Sequence, residues 1–472
     1  MTDPRSSSPS LPRPPSVVIS LMLLAAIGGL MQAATSFAGT ATSLPGSTEL
    51  AFGFLLLSSY FTAKIANRLG LPKLTGYLIA GVVAGPSVLA LISDVMLDKH
   101  AATGLALKVV SDAATAILAL EAGAELDLKK VRPVARTLRG ITLYAVIGSM
   151  ITIGAAMFLL QPLLPGLFGG MSMQQRLVVC MVVGVALSSQ SPAVAMAMLA
   201  ETRAEGPLSR VILASVVAAD LTVIVVFSLA LAVAGALIGG EIDVQATALE
   251  VGWELLGSIL FGIAIGMLVG LFLRTVKEGA ALFALMVCVV VAEIGPHVHL
   301  DPLIVLLASG VWLRNFSTAN AHDLLSKFES AQLPVFLVFF ALAGANLQLD
   351  KLAANAIAVV VIAVVRAATF YFGSRRACRR ANADPMTSRY AWFGLVPQAG
   401  LALALAIVLQ DTFSAAVYGA GNPAAFGDNA AVLVLGVVAL NQLVAPPILR
   451  IVLMRSGEAG KKQNVDFAAG GH

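Results

Sequence analysis

VILASVVAADLTVIVVFSLALAVAGAL, residues 211–237, is long and apolar enough to cross a bilayer, and it carries a single charge, Asp220, near its middle. A helix of roughly 20 predominantly apolar residues spans a hydrocarbon core about 30 Å thick. At about 1.5 Å of rise per residue, Asp220 lies roughly 15 Å into the run, at the centre of that core. An ionisable group at that depth is costly, faces the protein interior or water, and marks a proton or ion site by default.

The rest of the chain reads the same way. Of 472 residues, 58% are hydrophobic and 12% charged, against about 25% charged in soluble domains. The formal net charge of +4 is small and scattered, which argues against a nucleic-acid partner. Cys180 and Cys288 lie in apolar runs and Cys378 in a basic stretch read as a loop, so the cysteines form neither a disulfide framework nor a metal-ligand cluster.

Apolar runs bounded by charges or turn residues predict thirteen spans, near 49–67, 72–93, 105–124, 140–163, 177–200, 211–237, 251–273, 280–295, 302–313, 333–348, 354–373, 390–410 and 430–449. Residues 1–15 read as a disordered tail. Residues 16–35 read either as an extra helix or as a signal peptide, because Arg5 and Arg13 precede an apolar run ending in small residues. Two of the spans, 280–295 and 302–313, are short for a crossing. One transmembrane domain is expected to run from 48 to 455, followed by a short cytoplasmic tail, 456–472.

Of the 30 Lys and Arg residues, alternate loops leave only Lys99, Lys108, Arg176 and Lys351 on one side, with Arg366 inside a span. The positive-inside rule places the other, basic side in the cytoplasm, and the C-terminus with it. The expected location is a bacterial-type inner membrane.

Arg366 interrupts AIAVVVIAVVRAATFYFGSRR, residues 356–376. It cannot shed its proton as lysine can, so it needs a partner or water. Two further spans break at the same depth. In 178–199, VVCMVVGVALSSQSPAVAMAML, the run Ser188, Ser189, Gln190, Ser191 meets Pro192, and in 390–410, YAWFGLVPQAGLALALAIVLQ, Pro397, Gln398, Ala399 and Gly400 do the same. Proline removes a backbone donor and displaces a carbonyl. Irregular backbone at membrane depth persists only inside protein or beside a cavity. One such break in each half of the chain points to inverted repeats with the ion site between them.

Weaker candidates complete the set. Glu121, a turn deeper than Glu125 and Asp127, is expected to line an entry funnel. Glu293, His297 and His299 read as a solvated group without a metal, and Gly262, Gly266 and Gly270 as a close-packing stripe. Nothing pairs a nucleophile with a base or matches HExxH, so no enzyme and no cofactor are expected.

These stretches resemble the monovalent cation:proton antiporters of the sodium/hydrogen exchanger superfamily, including the membrane domain of potassium-efflux antiporters. The residues that carry the likeness are LPKLTGYLIAGVVAGPSVLAL (71–91), AGAELDLKKV (122–131), ALSSQSPAVAMAML (186–199), ASVVAADLTVIVV (214–226), VAEIGPHVHLDPLIVLLASG (291–310), LPVFLVFFALAGANLQLDKL (333–352) and GLVPQAGLALALA (394–406). The resemblance implies an all-α polytopic fold with two crossed discontinuous helices, an elevator-like movement and a homodimer. It also implies that Asp220 binds cation and proton, with Ser189, Gln190, Ser191 and Pro192 in one unwound segment, Pro397, Gln398 and Gly400 in the other, and Arg366 compensating charge. Ala219 departs from the pattern, since many relatives carry Asp or Asn there. Arg366 must then find Asp220, Glu121, a backbone carbonyl or water.

The expected activity is exchange of Na+ or K+ for H+ by alternating access, electroneutral because one carboxylate titrates. Two alternatives stand beside it. One is the membrane subunit of a potassium efflux system with a separate cytoplasmic regulatory subunit. The other is a transporter-derived sensor that binds without turnover.

Overall fold

Hydrocarbon offers backbone amides and carbonyls no water, so a spanning chain satisfies them within helices or closed barrels. The structure, a computed structural model, describes residues 47–90, 92, 116–117, 119–124, 126–239, 249, 252–276, 280–317, 335–345, 349, 353, 355–413, 422 and 426–461. Among these residues every regular element is helical. The stretches 1–15 and 16–35 lie outside them.

We number the helices α1 (Ser47–Arg68) and α2 (Lys73–Ala84), α3 (Arg132–Leu159), α4 (Met173–Leu187), α5 (Pro192–Thr202) and α6 (Pro207–Gly239). There follow α7 (Trp253–Thr275), α8 (Ala280–His297), α9 (Pro302–Asn315), α10 (Val335–Ala345), α11 (Ala356–Arg380), α12 (Gly400–Thr412) and α13 (Gly427–Arg455). Counting α4 and α5 as one interrupted span, 6 helices are long and apolar enough to cross a membrane, and further apolar helices are shorter. The two short predicted spans extend a little at their ends, to 18 residues in α8 and 14 in α9.

Several helix ends differ from the sequence reading: α2 stops at Ala84, α3 starts at Arg132 and α13 runs on to Arg455. The basic stretch after residue 373 is helical to Arg380, and Cys378 is buried within it rather than in a loop. Aromatic faces hold these cations in place. Arg376 and Arg380 each lie 5.3 Å from the ring centre of Tyr144, and Arg375 lies 5.6 Å from that of Tyr371.

Helices approach closely where glycines remove side chains. A Cβ on Gly81 of α2 would stand 2.0 Å from the Ala341 carbonyl oxygen of α10, and one on Gly344 would stand 2.2 Å from that of Leu78. The predicted stripe behaves likewise, since a Cβ on Gly262 would lie 2.3 Å from the Val305 oxygen and one on Gly266 2.9 Å from that of Ser309. α7 therefore packs directly onto α9.

At the end where the basic residues gather, buried or half-buried carboxylates cap helices. Glu201, near the end of α5, accepts from the Lys73 N–H at 3.0 Å and so caps α2. Arg450 of α13 donates to the carbonyls of Gly70 and Leu71 at 2.9 and 2.8 Å, tying the α1–α2 turn to the same face. Each contact satisfies backbone groups that a helix end leaves without partners.

Candidate functional site

The first predicted break falls where Pro192 demands it. α4 ends at Leu187, residues 188–191 are not helical, and α5 restarts at Pro192 with Ser191 as its cap, accepting from the Val194 N–H at 3.2 Å. The second break follows a 3-10 turn, Ala391–Leu395, and leaves 396–399 outside any helix before α12 begins at Gly400. A helix ending inside the bundle exposes carbonyls that carry the negative end of its dipole.

Arg366 supplies donors for both breaks at once. From α11 its guanidinium donates to the Val396 carbonyl at 2.6 Å and the Leu395 carbonyl at 3.1 Å in one break, and to the Ser189 carbonyl in the other. The group is buried and stacks over Phe370 at 4.6 Å. Of the partners left open by Ala219, the structure selects backbone carbonyls rather than Asp220 or Glu121. Ala219 itself is buried in an apolar core.

A second bridge joins the same two segments. Gln398 donates from Nε2 to the Leu187 carbonyl at 2.9 Å, and its Oε1 accepts from Asn441 Nδ2 of α13 at 2.6 Å. Asn441 escaped notice in the sequence, although an amide in the apolar run 430–449 is the same kind of signal as Asp220. Asn441→Ala should leave the Gln398 oxygen buried without a donor, which costs about 1–3 kcal/mol. The measurement is thermal unfolding in detergent, with Asn441→Asp as a control that keeps an oxygen where the donor stood.

Asp220 occupies the middle of α6 and faces a cleft. Gln190, Ser191 and Pro192 line the same cleft, with Leu303, Ile304 and Leu307 of α9, Phe339 of α10 and Leu401 of α12. Its wall is therefore mostly apolar around a few polar groups. Asp220 Oδ1 and Gln190 Oε1 are both shielded and accept no hydrogen bond. The Gln190 amide has its nitrogen turned away, donating to the Ser188 carbonyl, so the oxygen is the free end. Positive helix ends face the cleft too, since α5 begins there and α12 begins one residue before Leu401.

Other predicted residues stand elsewhere. The Ser189 hydroxyl donates back to the Ala186 carbonyl at 2.9 Å, while its own carbonyl is held by Arg366. Pro397 and Gln398 are buried behind the cleft, and Gly400 opens α12. Glu121 is buried; Ala119 and Ala122 of its helix line the cleft and Glu121 does not. Residues 119 and 122 share a helix face, from which 121 is turned away. Asp301, not singled out in the sequence, caps α9 by accepting from the Leu303 and Ile304 N–H groups at 2.7 and 3.2 Å. Among the described residues no three His, Cys, Asp or Glu side chains gather as a metal site.

Comparison with known proteins converges on one group. The profile described as sodium/hydrogen exchanger, transmembrane, matches residues 53–455. The Na+/H+–K+ antiporter GerN of Bacillus cereus is 23% identical over 423 residues, covering 86% of this chain and 96% of its own. The structure of the sodium proton antiporter MjNhaP1 from Methanocaldococcus jannaschii at pH 8 shares the fold, with a TM-score of 0.63 at 14% identity, over 87% of this chain and 99% of that one. An electron-microscopy structure of MjNhaP1 gives the same TM-score of 0.63, at 15% identity, over 86% and 94% of the two chains.

Proposed function

The chain belongs to the sodium/hydrogen exchanger transmembrane family, and from that premise we propose that it exchanges Na+ or K+ for H+ by alternating access, with Asp220 as the carboxylate for which the two ions compete. The observation that carries this reading is the pair of unpartnered acceptors, Asp220 Oδ1 and Gln190 Oε1, in one mostly apolar cleft. Hard monovalent cations take oxygen ligands, as the harder divalent ones do. Ser191 Oγ keeps a lone pair beyond the Val194 contact, and a freed carbonyl or water would complete the shell. GerN is named for both Na+ and K+, so both are carried forward as substrates.

The chemistry follows from charge. A carboxylate among apolar walls is stable only when neutralised, and a proton or a cation can each do that, one at a time. Arg366 does not compete for the role. Its two terminal nitrogens donate to Ser189, Leu395 and Val396, so it holds the two breaks together and offsets their negative helix ends. The complete reading has thirteen spans as inverted repeats, the two discontinuous helices crossing at Arg366, a homodimer in a bacterial-type inner membrane, and the C-terminus in the cytoplasm.

With one titrating carboxylate and an arginine that stays charged, each cycle moves one cation against one proton and no net charge. In proteoliposomes an imposed Na+ or K+ gradient should drive proton movement while a solid-supported membrane records no current that follows turnover. A current that scales with turnover contradicts the one-carboxylate stoichiometry. No cation-driven proton movement with any of these ions contradicts the exchange itself.

A further inference from the structure

Residues 456–461, just beyond α13, fold back on the protein. After α13 ends at Arg455, Gly457 and Gly460 adopt φ of +72° and +75°, a left-handed conformation that favours glycine, and the chain doubles back. Two backbone bonds dock it on the α5–α6 connection. The Glu205 N–H donates to the Glu458 carbonyl at 3.1 Å, and the Gly460 N–H donates to the Thr202 carbonyl at 2.9 Å.

Between these bonds the Glu458 side chain is buried against the first turn of α6. Its carboxylate accepts from the Leu208 N–H at 2.8 Å, the Ser209 N–H at 2.8 Å and the Ser209 hydroxyl at 2.6 Å. It thus takes the place of the local side chain that normally caps a helix start, and puts a negative charge at the positive end of the dipole. Gly206 leaves the room it needs, since a Cβ there would lie 2.3 Å from Glu458 Cδ.

The position of this clasp gives it a consequence at the cleft. α5 and α6 are joined at the clasped end; the other end of α5 carries Ser191 and Pro192, and the middle of α6 carries Asp220. From Leu208 to Asp220 the helix rises roughly 18 Å, and α5 rises roughly 15 Å from Thr202 back to Pro192. The two run side by side from the clasp to the cation oxygens, so a shift at one end is carried rigidly to the other.

We infer that Glu458 is a positioning residue for the ion site, clasping the start of α6 to the end of α5 so that Asp220 keeps its register against Gln190 and Ser191. The functional half of this inference rests on the exchange reading above; the mechanical half does not.

Two substitutions open the clasp by independent means. Glu458→Ala removes the carboxylate, and Gly206→Ala expels it sterically. In the full chain reconstituted in lipid nanodiscs, amide hydrogen exchange at Leu208 and Ser209 should rise at least about tenfold in either variant, the worth of a strong cap. Protection should also fall in the peptide that contains Asp220. In proteoliposomes the half-saturating cation concentration should move several-fold while the maximal rate stays within about twofold, since the clasp acts through geometry rather than touching the ion. The double variant should be no worse than either single one, because both remove one interaction. Glu458→Gln, which keeps one acceptor oxygen, should fall between.

Unchanged exchange around Asp220 overturns the inference, as does an unchanged half-saturating concentration in an active protein, or additive effects in the double variant. If the substitutions open Leu208 and Ser209 while the wild type transports no cation, the exchange reading is overturned and the clasp positions a site of another kind.

Discussion

Arg366→Ala is expected to lose both stability and exchange. The substitution strips donors from three carbonyls, those of Ser189, Leu395 and Val396, which lie inside the bundle at two helix breaks. Hydrogen bonds from a charged donor contribute about 1.5–3 kcal/mol each, and the carbonyls left behind lose that donor. The contacts are coupled, so the loss is less than their sum, about 3 kcal/mol or more. Thermal unfolding in detergent reads it directly. Arg366→Lys separates charge from shape, because an ammonium keeps the charge but lacks the planar fork that reaches both segments. It should retain more stability than alanine and still exchange poorly. An alanine variant that melts and exchanges like the wild type removes Arg366 from the account.

Asp220→Asn is expected to do the opposite to stability. Asparagine has nearly the same shape, and Asp220 Oδ1 accepts no hydrogen bond that the change would break. Replacing a carboxylate in a largely apolar cleft with a neutral amide also lightens the cost of burying charge. The variant should therefore fold at least as stably as the wild type. Exchange should fall to background, because an amide neither takes up a proton in this range nor offers a charge for a cation to neutralise. The two substitutions thus differ in kind: one dismantles the frame, the other silences the site in an intact frame.

What could be read in the sequence divides along physical lines. Asp220, Arg366 and the two proline-bearing breaks were visible because each is the wrong residue for hydrocarbon, and depth along an apolar run follows from counting. Depth is not direction. Glu121 was placed at about the right level, but its helix turns Ala119 and Ala122 to the cleft instead. The partner of Arg366 was hidden for another reason, since backbone carbonyls carry no side-chain signature and any residue supplies them. Asn441 obeys the same logic as Asp220 and was legible in principle. Glu458 was not, because an acid in a polar stretch after the final apolar run is ordinary until the chain is seen to fold back on Leu208 and Ser209.

The position of Ala219 gains a meaning from the same geometry. Where a relative's acid would face the arginine, this chain has a buried methyl group, and the arginine's terminal nitrogens bond to the breaks themselves. Asp220 is then the charged residue in the lining of the cleft. Under the exchange proposed above, a single charge of this kind makes a one-for-one cycle the simplest.

The central claim is that proton and cation replace one another at Asp220. Everted membrane vesicles carrying equal amounts of wild-type protein and Asp220→Asn, energised to an acidic interior, test it when Na+, K+ and Li+ are added in turn. The account predicts that at least one of Na+ and K+ collapses the pH gradient in wild-type vesicles and that none of the three does so in the Asp220→Asn vesicles. A variant that collapses the gradient at the wild-type rate would contradict it.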